Sequence, residues 1–323
     1  MIKVTDIAYA RFVAPDLDEM ETFLEDFGLV RSARSDDALY MRAADPEHHV
    51  HVTHLGHTPG FIGMAFNAAS MEDLHVLAKM DGASDVEEID EPGGGYRVRV
   101  TDPNGHQVET VFGIDTLEPL AVKNNFRRNF GTDHQRKGEL LRLDKGPCQA
   151  KRLGHIVINV ASCAVNDEFY KSYFGFLSSD ECYDPNDAKE LVVAFNRCDR
   201  GEAYVDHHTL LTVKSEEPGF AHIAFEVEDI NAIYLGKEHL EARGYEHSWG
   251  IGRHILGSQI FDYWFDPWGH RVEHWTDGDL LNADSPTFVT PLREALSSQW
   301  GVTIADRRAS LHTDYDPLKA GTE

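Results

Sequence analysis

Apolar and polar positions alternate in short runs along this chain, punctuated by Gly, Pro, Asn and Asp, and twice the order runs strand, amphipathic helix, several strands. In the first half, residues 7–13 predict a strand and residues 17–26 a helix, with Asp16 as its N-cap. Residues 39–41 and 49–55 predict a hairpin. A second unit opens at residues 61–67, continues as a helix over residues 71–80, and closes with strands at 96–101 and 107–112. The second half repeats the order: strand 154–160, helix near 166–173, strands 191–196, 209–213 and 221–227, helix 230–243, then strands 260–265 and 270–275. The fold class that follows is α+β, built from four small units.

The repetition extends to the residues themselves. Pro59-Gly60-Phe61-Ile62-Gly63-Met64-Ala65-Phe66 returns as Pro218-Gly219-Phe220-Ala221-His222-Ile223-Ala224-Phe225, so a histidine replaces Gly63 inside a near-identical strand. Asp102-Pro103-Asn104-Gly105-His106-Gln107-Val108-Glu109 returns as Asp266-Pro267-Trp268-Gly269-His270-Arg271-Val272-Glu273, which makes Glu109 and Glu273 equivalent. Near the start of each half, aligning the strand and helix patterns pairs Asp6 with His155. His155, His222 and Glu273 thus occupy matching strand positions in a half that alone carries both histidines.

Length and charge narrow the picture. The 323 residues, 41% of them hydrophobic, suffice for two domains with cores. The expected division is a first domain at 1–113, a linker at 114–152, a second domain at 153–278, and a tail or lid at 279–323 whose end, from Arg307, reads as mobile. Thirty basic against 55 acidic residues give a net charge of −25, which repels nucleic acid and anionic membrane surfaces. With no leader-like or membrane-spanning run, a cytoplasmic protein is expected. Cys148, Cys163, Cys182 and Cys198 are widely spaced and read as reduced thiols.

Two neutral imidazoles and one carboxylate on one face of a metal leave adjacent positions open, a set that suits Fe(II) and that Mn(II) also fits. Near the candidate ligands, His207 and His208 precede a strand, His254 follows Gly252-Arg253, and Tyr263 stands on the strand entering the Asp266-Pro267 turn. Each alone is equally consistent with a structural role. His48, His49, His51, His54 and His57 read as surface or loop histidines.

Taken together, Gly252-Arg253-His254, Tyr263, Asp266-Pro267-Trp268-Gly269 and Glu273, with the upstream Gly154-His155-Ile156 and Ala221-His222-Ile223, resemble the type I extradiol ring-cleaving dioxygenases of the vicinal oxygen chelate superfamily. The resemblance implies two tandem domains, each of two βαβββ modules forming a curved, barrel-like mixed sheet, the first having lost its metal. It implies Fe(II) on His155, His222 and Glu273, with a catechol and dioxygen as substrates and a ring-opened muconic semialdehyde-type product. It implies that His254 and Tyr263 stabilise the deprotonated catechol, that His207 is the acid/base, with the adjacent His208 as the alternative, and that the enzyme is a homo-oligomer. The sequence departs from the family pattern at Asp262, where an apolar residue is usual; strand alternation turns that carboxylate away from the face of Tyr263. Other readings on the same scaffold are a non-redox glyoxalase-like isomerase or epimerase, a hydroxyphenylpyruvate-type dioxygenase, and a non-catalytic small-molecule-binding protein. Trp249, Arg253, Trp264 and Trp268 are candidates for shaping the pocket.

Overall fold

A computed structural model describes residues 1–301. The first half comprises β1 (Asp6–Ala14), α1 (Leu17–Phe27), β2 (Val30–Arg34), β3 (Ala38–Arg42), β4 (His51–Leu55), β5 (Gly60–Asn67), α2 (Met71–Leu77), β6 (Glu87–Glu88), β7 (Tyr96–Thr101) and β8 (Gln107–Phe112). The second comprises β9 (Ala150–Val160), α3 (Cys163–Phe174), β10 (Leu177–Asp184), β11 (Asp187–Arg197), β12 (Val205–Asp206), β13 (Leu210–Lys214), β14 (Gly219–Val227), α4 (Ile230–Arg243), β15 (His247–His254), β16 (Ile260–Phe265) and β17 (Arg271–Thr276). After it come β18 (Leu280–Leu281), β19 (Phe288–Val289), α5 (Leu292–Ala295) and β20 (Ser298–Gly301).

Each half is one mixed sheet, ordered β2-β3-β4-β1-β5-β8-β7-β6 and β19-β10-β11-β13-β9-β14-β17-β16-β15-β20. Removing the added edge strands β19 and β20 leaves the same order twice, which is the vicinal oxygen chelate arrangement of tandem modules. The segment read as tail or lid therefore contributes two strands to the second sheet, and β18 pairs with β12. The strand that carries His155 begins at Ala150, inside the stretch read as linker. The mobile end read from Arg307 lies outside the described residues.

Local chemistry explains the elements. Asp16 caps α1 by accepting from the backbone N–H of Asp18 and Glu19, an interaction worth about 1 kcal/mol. Ser162 caps α3 the same way, accepting from Val165. Gly28 ends α1 in the left-handed region at φ 111°, and a side chain there would run into the Cys148 carbonyl of the other half. Two of the strands without an apolar signal, β2 and β10, are polar: Val30–Arg34 is largely exposed, whereas Leu177–Asp184 buries Ser178, Ser179 and Asp180.

One core serves both halves. Ala10 and Phe12 of β1 belong to the same buried cluster as Ile156 and Ile158 of β9. Phe12 packs edge-on to Phe220 at 5.1 Å between ring centres and against His270 at 5.2 Å. Asp26, at the end of α1, accepts hydrogen bonds from Arg243 and Tyr245 and pairs with His239, each at 2.8 Å. Burial alone would raise the Asp26 carboxyl's pKa; these three donors outweigh it and hold the group below the usual carboxylate range. The four cysteines are buried and unbridged. Among the described residues no helix is long and apolar enough to cross a membrane.

Candidate metal centre

Sheet register builds the centre. On the neighbouring strands β9, β14 and β17, His155 and Glu273 both stand opposite Ala224, one from each side. Residues in register project to the same face, so the small Ala224 methyl lies between an imidazole and a carboxylate and leaves room above it. His222, two residues back along β14, shares that face. One ligand atom from each of the three lies within 4.8 Å of the others. Both His155 Nε2 and His222 Nε2 stand 3.2 Å from Glu273 Oε2.

Water is nearly excluded: His155 is 1% exposed, His222 9% and Glu273 fully buried. Burial pushes the His155 imidazole down to about 3, and pushes His222 down to about 4 against the opposing pull of the Glu273 carboxylate. The Glu273 carboxyl is raised by burial despite its contact with His222. At neutral pH the centre is two uncharged imidazoles around a carboxylate, and His222 Nε2 is buried without a well-aligned hydrogen-bond partner. Two neutral nitrogen donors and a carboxylate are what a divalent cation requires, and the donor set fits one.

Tyr263 is in register with Glu273 across the β16–β17 pair, so it shares the ligand face, and its ring meets that of His222 edge-on at 5.1 Å. His254 Nε2 lies 3.0 Å from the Tyr263 hydroxyl and 3.9 Å from Glu273 Oε1. Asp262 points the other way, as alternation requires: its oxygens meet His247 Nε2 and accept from Trp264 Nε1, each at 2.7 Å. Trp249 stacks on Tyr263 at 5.4 Å and 8°, so it belongs to the site, whereas Trp264 lies on the opposite face with Asp262. Arg253 is engaged by Asp277 and the Ser258 carbonyl, and Trp268 packs against the core.

The two adjacent histidines occupy different places. His208 has its ring 4.2 Å from that of His155, and burial together with the surrounding imidazoles pushes it well below its ordinary pKa. His207 instead reaches Asp180, Nε2 to Oδ2 at 2.7 Å, and lines an open cavity of about 380 Å³ with Asp180, Leu256 and Asp279. The ring beside the cluster is that of His208; His207 stands behind it.

Two other expectations change. The position equivalent to His155 is Tyr9, not Asp6, because Tyr9 stands opposite Ala65 as His155 stands opposite Ala224. His49 and His51 are not surface residues: they are 4% and 2% exposed, and burial lowers both to about 3. Register matches His48 and His49 with His207 and His208, since Ala10 pairs with His51 as Ile156 pairs with Leu210. That match was available in the sequence as a doubled His-His; Asp180, in a polar strand without periodicity, gave no signal.

The Glyoxalase/Bleomycin resistance protein/Dioxygenase superfamily model matches residues 152–274, the segment that holds every ligand candidate. Over 282 residues the chain is 30% identical to metapyrocatechase 2 of Cupriavidus necator, covering 87% of this chain and 83% of that one. The chain belongs to the extradiol ring-cleaving dioxygenase family. The fold matches that of the Mn(II)-bound glyoxalase of Novosphingobium aromaticivorans (TM-score 0.76, 21% identity, 98% of this chain and 97% of that chain). It also matches the homoprotocatechuate 2,3-dioxygenase of Brevibacterium fuscum in complex with 3,4-dihydroxyphenylacetate (TM-score 0.73, 21% identity, 91% and 88%).

Proposed function

We propose that this dioxygenase-family chain cleaves the ring of a substituted catechol at an extradiol bond, using Fe(II) held by His155, His222 and Glu273 and consuming dioxygen. The observation that carries the reading is the convergence of those three donors beside the His254–Tyr263 pair, in a chain 30% identical to a metapyrocatechase. Bound there, Fe(II) would supply Lewis acidity toward the catechol oxygens and dioxygen; Mn(II) fits the same donors.

The chain's own residues do the rest. Tyr263 Oη and His254 Nε2, already hydrogen-bonded to each other, are placed to bond a phenolic oxygen and favour its deprotonated form. Trp249, stacked on Tyr263, fixes that ring. His208, rather than His207, stands where a proton is taken from substrate and returned to oxygen, and its buried, neutral ring is suited to accept one. The near-complete burial of the ligands keeps water away from the reacting atoms.

The glyoxalase-like alternative has one observation in its favour, the likeness in fold to the Novosphingobium protein. Anaerobic reconstitution with Fe(II), followed by a panel of catechols in an oxygen electrode, separates the two. Stoichiometric iron, oxygen uptake and a yellow ring-opened product are expected. Iron binding without oxygen uptake on any catechol of the panel would overturn the reading.

A further inference from the structure

We propose that Asp180 and His207 are positioning residues that hold His208 in the tautomer protonated at Nδ1, leaving its Nε2 bare for the reaction at the metal face; this rests on the function proposed above. Three contacts carry the inference. Asp180 Oδ2 lies 2.7 Å from His207 Nε2, His207 Nδ1 lies 3.2 Å from His208 Nδ1, and the His208 ring lies against His155 at 4.2 Å.

For two uncharged imidazoles, proton counting along this chain leaves one arrangement. A carboxylate only accepts, so the single hydrogen of His207 lies on Nε2 and Nδ1 carries a lone pair. The Nδ1 to Nδ1 contact needs one hydrogen, which His208 must supply. His208 Nε2 is then an acceptor. The two rings stand at 86° to each other, and Phe195 packs edge-on to both, at 5.3 and 5.1 Å, so neither ring turns without disturbing the other. The backbone N–H of His207 donates to Asp279 at 3.0 Å, and a side chain on Gly257 would press on the His207 ring.

The first half supplies a built-in control. His48 and His49 repeat the pair, Nδ1 to Nδ1 at 3.0 Å with rings at 83°, and the ring of His49 meets Tyr9 as that of His208 meets His155. The pair itself is therefore part of the repeated scaffold. Its carboxylate is not: Asp180 stands opposite Phe195 where Ala33 stands opposite the equivalent Tyr40. Among the described residues, a carboxylate hydrogen-bonded to the pair is found only in the half with the metal-ligand cluster.

The test reads tautomers directly. The full chain, labelled with ¹⁵N-histidine and stripped of metal by chelation, gives long-range imidazole ¹H–¹⁵N spectra in which His208 is assigned by its loss in His208→Phe. The parent is expected to carry the His208 proton on Nδ1, and Asp180→Asn to shift His208 toward the Nε2 tautomer. In the iron-loaded enzyme, Asp180→Asn should lower kcat about tenfold with little change in KM or iron content, the low end for an outer partner of a reacting group, and Asp180→Glu should restore most of it. A parent His208 protonated at Nε2 overturns the proposal, even if Asp180→Asn fails to fold. So does an Asp180→Asn variant with unchanged tautomer and kcat. The spectra need no catalysis, so a correct tautomer in a chain without oxygen uptake refutes the functional reading and leaves the positioning intact.

Discussion

The two halves place a buried glutamate at the equivalent point of equivalent sheets and surround it by different means. In the second half Glu273 faces the uncharged imidazoles of His155 and His222. In the first, Glu109 accepts from the Tyr9 hydroxyl and from Arg11 Nε at 3.1 Å, with Arg97 and Arg99 each 3.5 Å from its other oxygen. Arg11 also pairs with Glu91 at 2.8 Å. Guanidinium charges fixed to the chain do in the first half what a divalent cation is proposed to do in the second. The carboxylate is common to both modules, and the difference lies in what surrounds it. Gly63 seals the first site, because a side chain there would overlap the Gln107 carbonyl oxygen where β5 runs beside β8.

The contrast can be broken in several ways. The largest effect belongs to the second half: His155→Ala should abolish oxygen uptake on catechols together with iron binding, while the fold survives as judged by circular dichroism. His208→Phe should retain iron and lower kcat by about 10²–10⁴, the range for a lost acid–base group, in steady-state assays. Arg11→Met leaves Glu109 and Glu91 without their shared cation in a buried place, so chemical denaturation should show a loss of about 3–5 kcal/mol, with iron content unchanged. Gly63→His should not create a second metal site; it should cost about 1–3 kcal/mol by overpacking, measured by the same denaturation.

A last effect sharpens the comparison through pH. His51, in the first half, stacks on Phe12 at 4.8 Å and is lowered by burial to about 3. Its imidazole is neutral when folded and takes a proton when unfolded below about pH 6.5, so stability falls as pH drops from about 6.5 toward 3, by up to about 1.4 kcal/mol per unit. His51→Gln should flatten the slope of stability against pH over that window.

Most of the scaffold was legible because the repeat is strong where packing is strict. The Pro-Gly-Phe strands and the Asp-Pro turns sit at the centre of each sheet, and α4, β7, β8 and β16 fall on their expected residues. The outermost strands of the repeated order were not legible: β2 and β10 carry polar residues at successive positions, so no period-two signal marks them. The error that paired Asp6 with His155 has a definite origin. Taking α3 to begin near Asn166, rather than after its N-cap Ser162, slides the second half by three residues. Counted from the caps, Tyr9 and His155 both lie eight residues before the first helical residue, Leu17 or Cys163. The choice between His207 and His208 depended on which ring the chain turns toward the cluster, which spacing along a loop does not determine. Asp180 was invisible because its partner lies 27 residues away on another strand.

Metal content of two matched variants tests the central claim most directly. Glu273→Gln and Glu109→Gln remove equivalent carboxylates from the two halves, and each can be loaded anaerobically with Fe(II), desalted and assayed for iron per chain. The account predicts one iron per chain in the parent and in Glu109→Gln, and none in Glu273→Gln. Iron lost from Glu109→Gln while Glu273→Gln keeps it, or two irons per chain in the parent, would contradict it.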